Sequence, residues 1–350
     1  MWATNFPTTD SFVYSIFGIQ YPTSSETPLE PQHTLITTFT TLLPPSTTNH
    51  IDKLIQPPTT QAQAQSQGQA QVKTQIWLIY WSSRTAYEEW WSHPTVTHFW
   101  STLPDDAGMY RETLTIPRSR TQFATNKKEP VVGMGSLSCG KYVSVLDKSG
   151  YWGCYRDRIP EMRTDSHSLD SLEEAPSDTT IPAEGGIRYG RVKLAEVPEN
   201  ITFVVEGQDH SRITPEERKY WFENFNSLAT QWMQDLATTT PAEGMIDARL
   251  CYDPDSGRFQ NGQLESQNYH RKVQLFYILD FGHMLKLGMK NRAHVTLRRR
   301  FLAAYGPGGV MSEGGGIQLW VETSVLTAGG VDCEYVGCME GTGLQVLVKG

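Results

Sequence analysis

Residues 12–21 read FVYSIFGIQY. A run so dense in β-branched and aromatic side chains suits a pleated, half-buried surface and predicts a strand. Residues 76–81, IWLIYW, predict a second strand for the same reason. Between them residues 33–43, HTLITTFTTLL, space their apolar side chains for a helix, although the threonines lower its propensity. Residues 59–75, TTQAQAQSQGQAQVKTQ, hold nothing apolar enough to bury and predict a surface loop inserted into the unit. Beyond Trp81, Ser83 is placed to cap a helix that carries Tyr87, Trp90 and Trp91 on one face.

The second half repeats the alternation. Residues 163–186, RTDSHSLDSLEEAPSDTTIPAEGG, mix Ser, Asp, Glu and Pro without periodicity and predict an acidic linker or insert. NITFVVEG at 200–207 predicts a strand, and Thr214-Pro215-Glu216-Glu217 a helix start, with the helix running to about Thr238. A strand at 245–253 (MIDARLCYD), a helix from about Val273 to Met289, and strands at 317–326 (IQLWVETSVL) and 333–339 (CEYVGCM) follow. Strand-helix-strand units in both halves predict an α+β fold of two ferredoxin-like halves, residues 1–162 and 187–350, rather than an alternating parallel sheet. A faint echo links HPTVTHFW around His98 with KNRAHVTLRRRF around His294; duplication and chance explain it equally well.

The 350 residues carry a net charge of -8, which argues against a surface built to neutralise nucleic-acid phosphates. Five scattered cysteines do not make the even framework of a secreted disulfide scaffold, and residues 1–12 lack a secretory pattern; a reducing, cytoplasmic setting is expected. No stretch approaches the ~20 apolar residues of a membrane span. The sequon at Asn200 is then expected to be unused. Gly133-Met134-Gly135 and the glycines at 306–309 and 314–316 lack the spacing and the Lys-Ser/Thr pair of phosphate-binding loops and read as turns. Cys333 and Cys338 have no neighbouring ligands to complete a zinc shell.

Nine histidines remain, most in polar loops. His294 differs: it follows a predicted helix with an apolar face (Phe276, Leu279, Met284, Leu287) and precedes Arg298-Arg299-Arg300. An imidazole beside guanidinium groups suits a haem iron ligand with propionate partners, while an ordinary partly buried histidine remains the commoner alternative. Residues 151–160, YWGCYRDRIP, set Arg156, Asp157 and Arg158 among aromatics, where such charges pair with a ligand or with one another.

These residues also carry a family likeness. GIQY (18–21), IWLIYW with its WW-containing helix, GMYRE (108–112), YWGCYRDRIP, NITFVVEGQD (200–209), the segment into His294, LWVETSVL (319–326) and CEYVGCMEGTGL (333–344) make the chain resemble the haem-containing aldoxime dehydratases, which turn R–CH=NOH into a nitrile and water. YWG-x-x-RDR-x-P is the most specific of these motifs. The resemblance implies a dimeric α+β barrel-type fold with haem b between sheet and helices, and His294 as the iron ligand. Arg298, Val321, Tyr151 and Trp152 would then lie against the cofactor. It also implies a small apolar organic N–O substrate, and it leaves a homodimer open.

Arg158 matches the family's catalytic arginine. Val321 stands where the family has its distal histidine, and Glu206 where it has a serine. Valine cannot transfer a proton, whereas a Glu206 held neutral by apolar surroundings could, and Arg158 would oppose that by favouring the carboxylate. Three functions are left open: a dehydratase using Glu206, a haem enzyme of altered (oxidative, peroxide-using or N–O rearranging) reaction type, and a non-catalytic haem or gas-binding protein.

Overall fold

The computed structural model describes residues 2–4, 10–22, 29–45, 49–58, 72–138, 141–145, 155–165, 168–170, 186–194 and 197–348. The first unit runs β2 (Ser11–Pro22), α1 (Glu30–Leu42), β3 (His50–Gln56), β4 (Val72–Trp81), α2 (Arg84–Trp91), α3 (Pro94–Ser101) and β5 (Met109–Pro117), preceded by the short β1 (Trp2–Thr4). After β6 (Thr121–Thr125), β7 (Tyr142–Ser144), α4 (Tyr155–Arg158) and β8 (Ile187–Leu194), the second unit runs β9 (Thr202–Asp209), α5 (Pro215–Asn224), α6 (Asn226–Thr238) and β10 (Met245–Tyr252). It continues through β11 (Arg271–Ile278), α7 (Phe281–Lys290), α8 (Arg292–Tyr305) and β12 (Gln318–Val325), and β13 (Val331–Met339) follows.

In space the first unit is ordered β3-β4-β2-β5 and the second β10-β11-β9-β12. Both are antiparallel βαββαβ units of ferredoxin-like topology, as the sequence predicts. The units exchange strands. β6, which follows β5, pairs with β12 of the second unit, while β13, which follows β12, pairs with β5 of the first. A single pairing, Tyr252 with Ile55, joins β10 to β3.

Alternation along each strand sends one face inward and one outward. The inward faces share a core that includes Tyr14, Ile16 and Leu78 from one sheet and Phe203, Val205 and Leu275 from the other. Tyr14 meets Phe203 edge to face at 5.2 Å. Two buried glutamates at matching places in the two units are hydrogen-bonded, as burial of a carboxyl requires. Glu112 on β5 accepts from Arg249 Nη2 at 2.6 Å, Tyr335 OH at 2.8 Å and Tyr277 OH at 2.9 Å. Glu322 on β12 accepts from Tyr14 OH and the Met134 N–H, both at 2.8 Å, and from Tyr80 OH at 3.3 Å. The outward face of the first sheet is filled by aromatics under α1 to α3, among them Phe17, Phe39, Trp77, Trp81 and Trp100.

Three expectations are corrected. Residues 273–278, predicted as the start of a helix, form β11, buried on both faces. An unbroken apolar run fits either element, and the helical spacing of Phe276 with Leu279 misleads. The helix begins only at Phe281, where Asp280 Oδ1 accepts from the His283 N–H at 2.7 Å. The helix predicted from Pro215 to about Thr238 breaks at Phe225, whose φ of -127° leaves the helical region between two asparagines. Residues 72–75 of the predicted glutamine-rich loop belong to β4, while 59–71, like most of the acidic stretch 163–186, lie outside the described residues. Among the described residues no helix is long and apolar enough to cross a membrane.

Gly207 sits directly opposite Trp320, and a Cβ there would fall inside the indole ring. Gly207→Ala is therefore expected to lower unfolding free energy by about 1–3 kcal/mol through overpacking. Urea denaturation reads this, and an unshifted midpoint would mean that Trp320 moves aside freely.

Candidate active site

The outward face of the second sheet is not filled in the same way. Between it and the helices lies a cleft with a cavity of about 120 Å³, lined mainly by apolar side chains with a few polar groups among them, as small-molecule sites are. Alternation places Glu206 and Gln208 of β9, Gln274 of β11, and Leu319 and Val321 of β12 on its floor. Glu206 is in register with Val321 on one side and Gln274 on the other. Trp232 and Met233 of α6 and His294, Leu297 and Arg298 of α8 line the cleft from the helical layer.

His294 lies at the junction of α7 and α8, in the first turn of α8, where Asn291 caps the helix and accepts from the His294 N–H at 2.9 Å. Its Nδ1 lies 2.8 Å from the Gly288 carbonyl oxygen. A carbonyl only accepts, so Nδ1 carries the hydrogen and Nε2 keeps its lone pair. Burial, helped by the charge of Arg298, moves its pKa below the usual histidine value, which favours the neutral ring. The Trp232 ring stacks on the imidazole at 4.4 Å. A Cβ at Gly288 would lie 3.3 Å from His294 Cε1, so glycine is what lets the ring reach that carbonyl. An imidazole fixed through Nδ1, with Nε2 unprotonated beside an apolar cleft, is the arrangement a metal-ligating histidine needs. Arg298 follows one turn later on the same face, suited to a propionate. The residues present therefore fit a haem.

His98 is exposed on α3, and the corresponding outer face of the first unit is packed with Tyr87, Trp91 and Trp100 around Arg111, which pairs with Asp332 at 2.7 Å. Among the described residues, the sequence echo between His98 and His294 therefore does not extend to the surroundings of the two side chains.

The Glu206 carboxyl is pushed up to about 7 by burial, partly opposed by a hydrogen bond from the Trp232 indole N–H. Arg158, 8% exposed, donates from Nε to Gln122 Oε1 at 3.2 Å and lies 4.9 Å above the Tyr155 ring. Tyr155 lines the cleft, and its hydroxyl, raised to about 12 mainly by burial, feels Arg158, Glu206 and Arg298. Arg156 pairs with Asp170 at 2.9 Å, and the Asp157 carbonyl accepts from Arg163 Nε, whereas Arg158 reaches the site through its contact with the cleft-lining Tyr155. Tyr151 and Trp152 lie outside the described residues.

Sequence reasoning brought Glu206, Val321, His294 and Arg298 to one cleft and missed Trp232, Gln208, Gln274 and Lys272. Gln208 was within reach, two residues after Glu206 and hence on the same face of its strand. Gln274 and Lys272 were hidden by reading β11 as helix. Among the described residues no group of three or more His, Cys, Asp or Glu could hold a bare metal ion, and Cys251, Cys333 and Cys338 are buried and free.

The comparisons with known proteins agree with the geometry. The family model described as haem-containing dehydratase matches residues 15–344. The aliphatic aldoxime dehydratase of Rhodococcus globerulus is 28% identical over 274 residues, 76% of this chain and 70% of that protein. That of Pseudomonas chlororaphis is 27% identical over 277 residues, with the same coverage of 76% and 70%. The crystal structure of the aldoxime dehydratase OxdRE in complex with butyraldoxime superposes with a TM-score of 0.76 at 18% identity, covering 100% of this chain and 89% of that one. A second aldoxime dehydratase structure gives 0.75, also at 18% identity, with 100% and 91% covered. Those two structures share the whole α+β architecture, and the family match spans both units and the cleft. The chain belongs to the haem-containing dehydratase family.

Proposed function

We propose that the protein is an aldoxime-type dehydratase that holds haem b through His294 and uses Glu206 in place of the distal histidine its relatives would carry at position 321. The observation that carries this reading is a carboxyl raised by burial to about 7, and so about half protonated there, on the floor of a cleft whose helical side presents an unprotonated imidazole nitrogen. Haem held there by His294 would supply an iron able to bind a nitrogen donor and weaken its N–O bond. Arg298 balances a propionate, while Leu319, Val321 and Met233 exclude water around the substrate's carbon chain.

Glu206 then gives its proton to the departing hydroxyl, so that water leaves instead of hydroxide. The resulting carboxylate is steadied by the Trp232 N–H, the same bond that already favours the charged form. It takes back the proton lost from the oxime carbon as the C≡N bond completes, and the site is reset with no net proton change. Arg158, anchored on Gln122, and the Tyr155 hydroxyl supply hydrogen bonds to the oxygen as charge develops on it.

Haem-loaded, reduced protein incubated anaerobically with butyraldoxime is expected to yield butyronitrile, measured by gas chromatography. Absence of nitrile from this and from aryl aldoximes would overturn the reading.

A further inference from the structure

The floor of the cleft carries one charge that elimination of water does not require. Lys272 of β11 is 2% exposed, yet it lines the cleft, and its Nζ rests over the Phe259 ring, 4.5 Å from the centroid. Among the described residues it makes no hydrogen bond and no ion pair. Asp209, the carboxylate that acts on it, is engaged elsewhere, accepting from the Ser211 N–H at 2.7 Å and facing Arg271 at 3.7 Å. Behind Lys272, His210 is 1% exposed, has neither ring nitrogen hydrogen-bonded, and lies between Phe259 at 4.2 Å and Trp221 at 4.7 Å. Burial together with Lys272, His270 and Arg218 holds His210 well below the usual histidine range, so this histidine is neutral and supplies no counter-charge.

A buried ammonium without a counter-ion is costly, and burial lowers its pKa to about 7. A carboxylate arriving through the cleft would remove that cost, with the side-chain amides of Gln208 and Gln267 on the same lining as further donors. The register sets the reach. Lys272 faces Gln208 and Glu206 faces Gln274, so Lys272 and Glu206 are diagonal neighbours with Cα atoms roughly 7–8 Å apart. A molecule whose N–O end is at Glu206 therefore brings its other end to Lys272 within a few bonds.

From this we infer that Lys272 seats a carboxylate carried by the substrate, and that the preferred substrate is a short aldoxime ending in a carboxylate instead of a methyl group. The inference rests on the dehydratase reading of the same cleft. A haem propionate is the other source of a carboxylate in this space, and the test separates the two.

Titration calorimetry of the haem-loaded protein compares 4-(hydroxyimino)butanoate with butyraldoxime, which has the same chain length. The carboxylate is expected to bind roughly 10- to 100-fold more tightly, the contribution of a hydrogen-bonded charge. Lys272→Met should erase that preference and leave butyraldoxime affinity within about twofold, while Lys272→Arg retains most of it. Equal affinities in the unaltered protein overturn the inference. So does a Lys272→Met protein that loses haem on purification and, once reloaded with haem, keeps the preference, which would assign the ammonium to a propionate. Binding of butyraldoxime without preference strikes only the carboxylate seat; failure of either oxime to bind strikes the dehydratase reading as well.

Discussion

Glu206→Gln is expected to lower nitrile formation by about 10²–10⁴-fold, the usual contribution of a positioned general acid, with haem content unchanged. Glutamine keeps the volume and still accepts from Trp232, but it has no proton to give. The unaltered enzyme carries a matching signature in its pH profile. Burial raises the Glu206 carboxyl to about 7, so the active, protonated form dominates below that value and falls about tenfold per unit above it. The rate should be flat on the acid side and decline above pH 7. A profile that rises through pH 7 would mean that the carboxylate is the working form and that the proton comes from elsewhere. A Glu206→Gln protein with unaltered turnover would remove this residue from the chemistry.

The second large effect is on cofactor retention. His294→Ala takes away the imidazole whose Nδ1 is tied to Gly288 and whose Nε2 is left as the donor. Haem bound per chain after purification, read as the ratio of Soret to protein absorbance, should fall at least about tenfold, since axial ligation is the one covalent tie such a cleft offers. The Asn291 cap and the helical backbone are unaffected by the change, so the far-ultraviolet circular dichroism should stay the same. Full haem content in that variant, with an unshifted spectrum, would place the axial donor elsewhere.

Much of the architecture was legible because its strands advertise themselves. FVYSIFGIQY, IWLIYW and NITFVVEG have compositions that fit little else, and their spacing around helical segments gave the two βαβ halves. β11 was not legible: VQLFYI is apolar on both faces, and neither period is decisive for such a run. That error mattered for the site, because a strand puts Lys272 and Gln274 on one face and a helix would scatter them. The break at Phe225 depends on how α5 and α6 bend over the cleft, a tertiary matter. The pairing of β6 with β12 and of β13 with β5 is a non-local choice on which local pattern is silent. At the site, Glu206 and Val321 were found by likeness at separate places in the chain; only the register makes them neighbours.

The traded strands bear on how the protein can be divided. One of the two strands beside Val321 is β6, from the first half of the chain, and it also carries Gln122, the partner of Arg158. A piece cut out from residue 187 onwards would keep His294 and Glu206 but leave the rim of β12 without its companion, a bare edge open to sticking to other chains. The N-terminal piece would be left equally ragged along β5, deprived of β13. Neither portion keeps all the strand partners it has in the whole chain, although each has the outline of a building block, and the sheet around the cleft is complete only when the chain has come together from both ends.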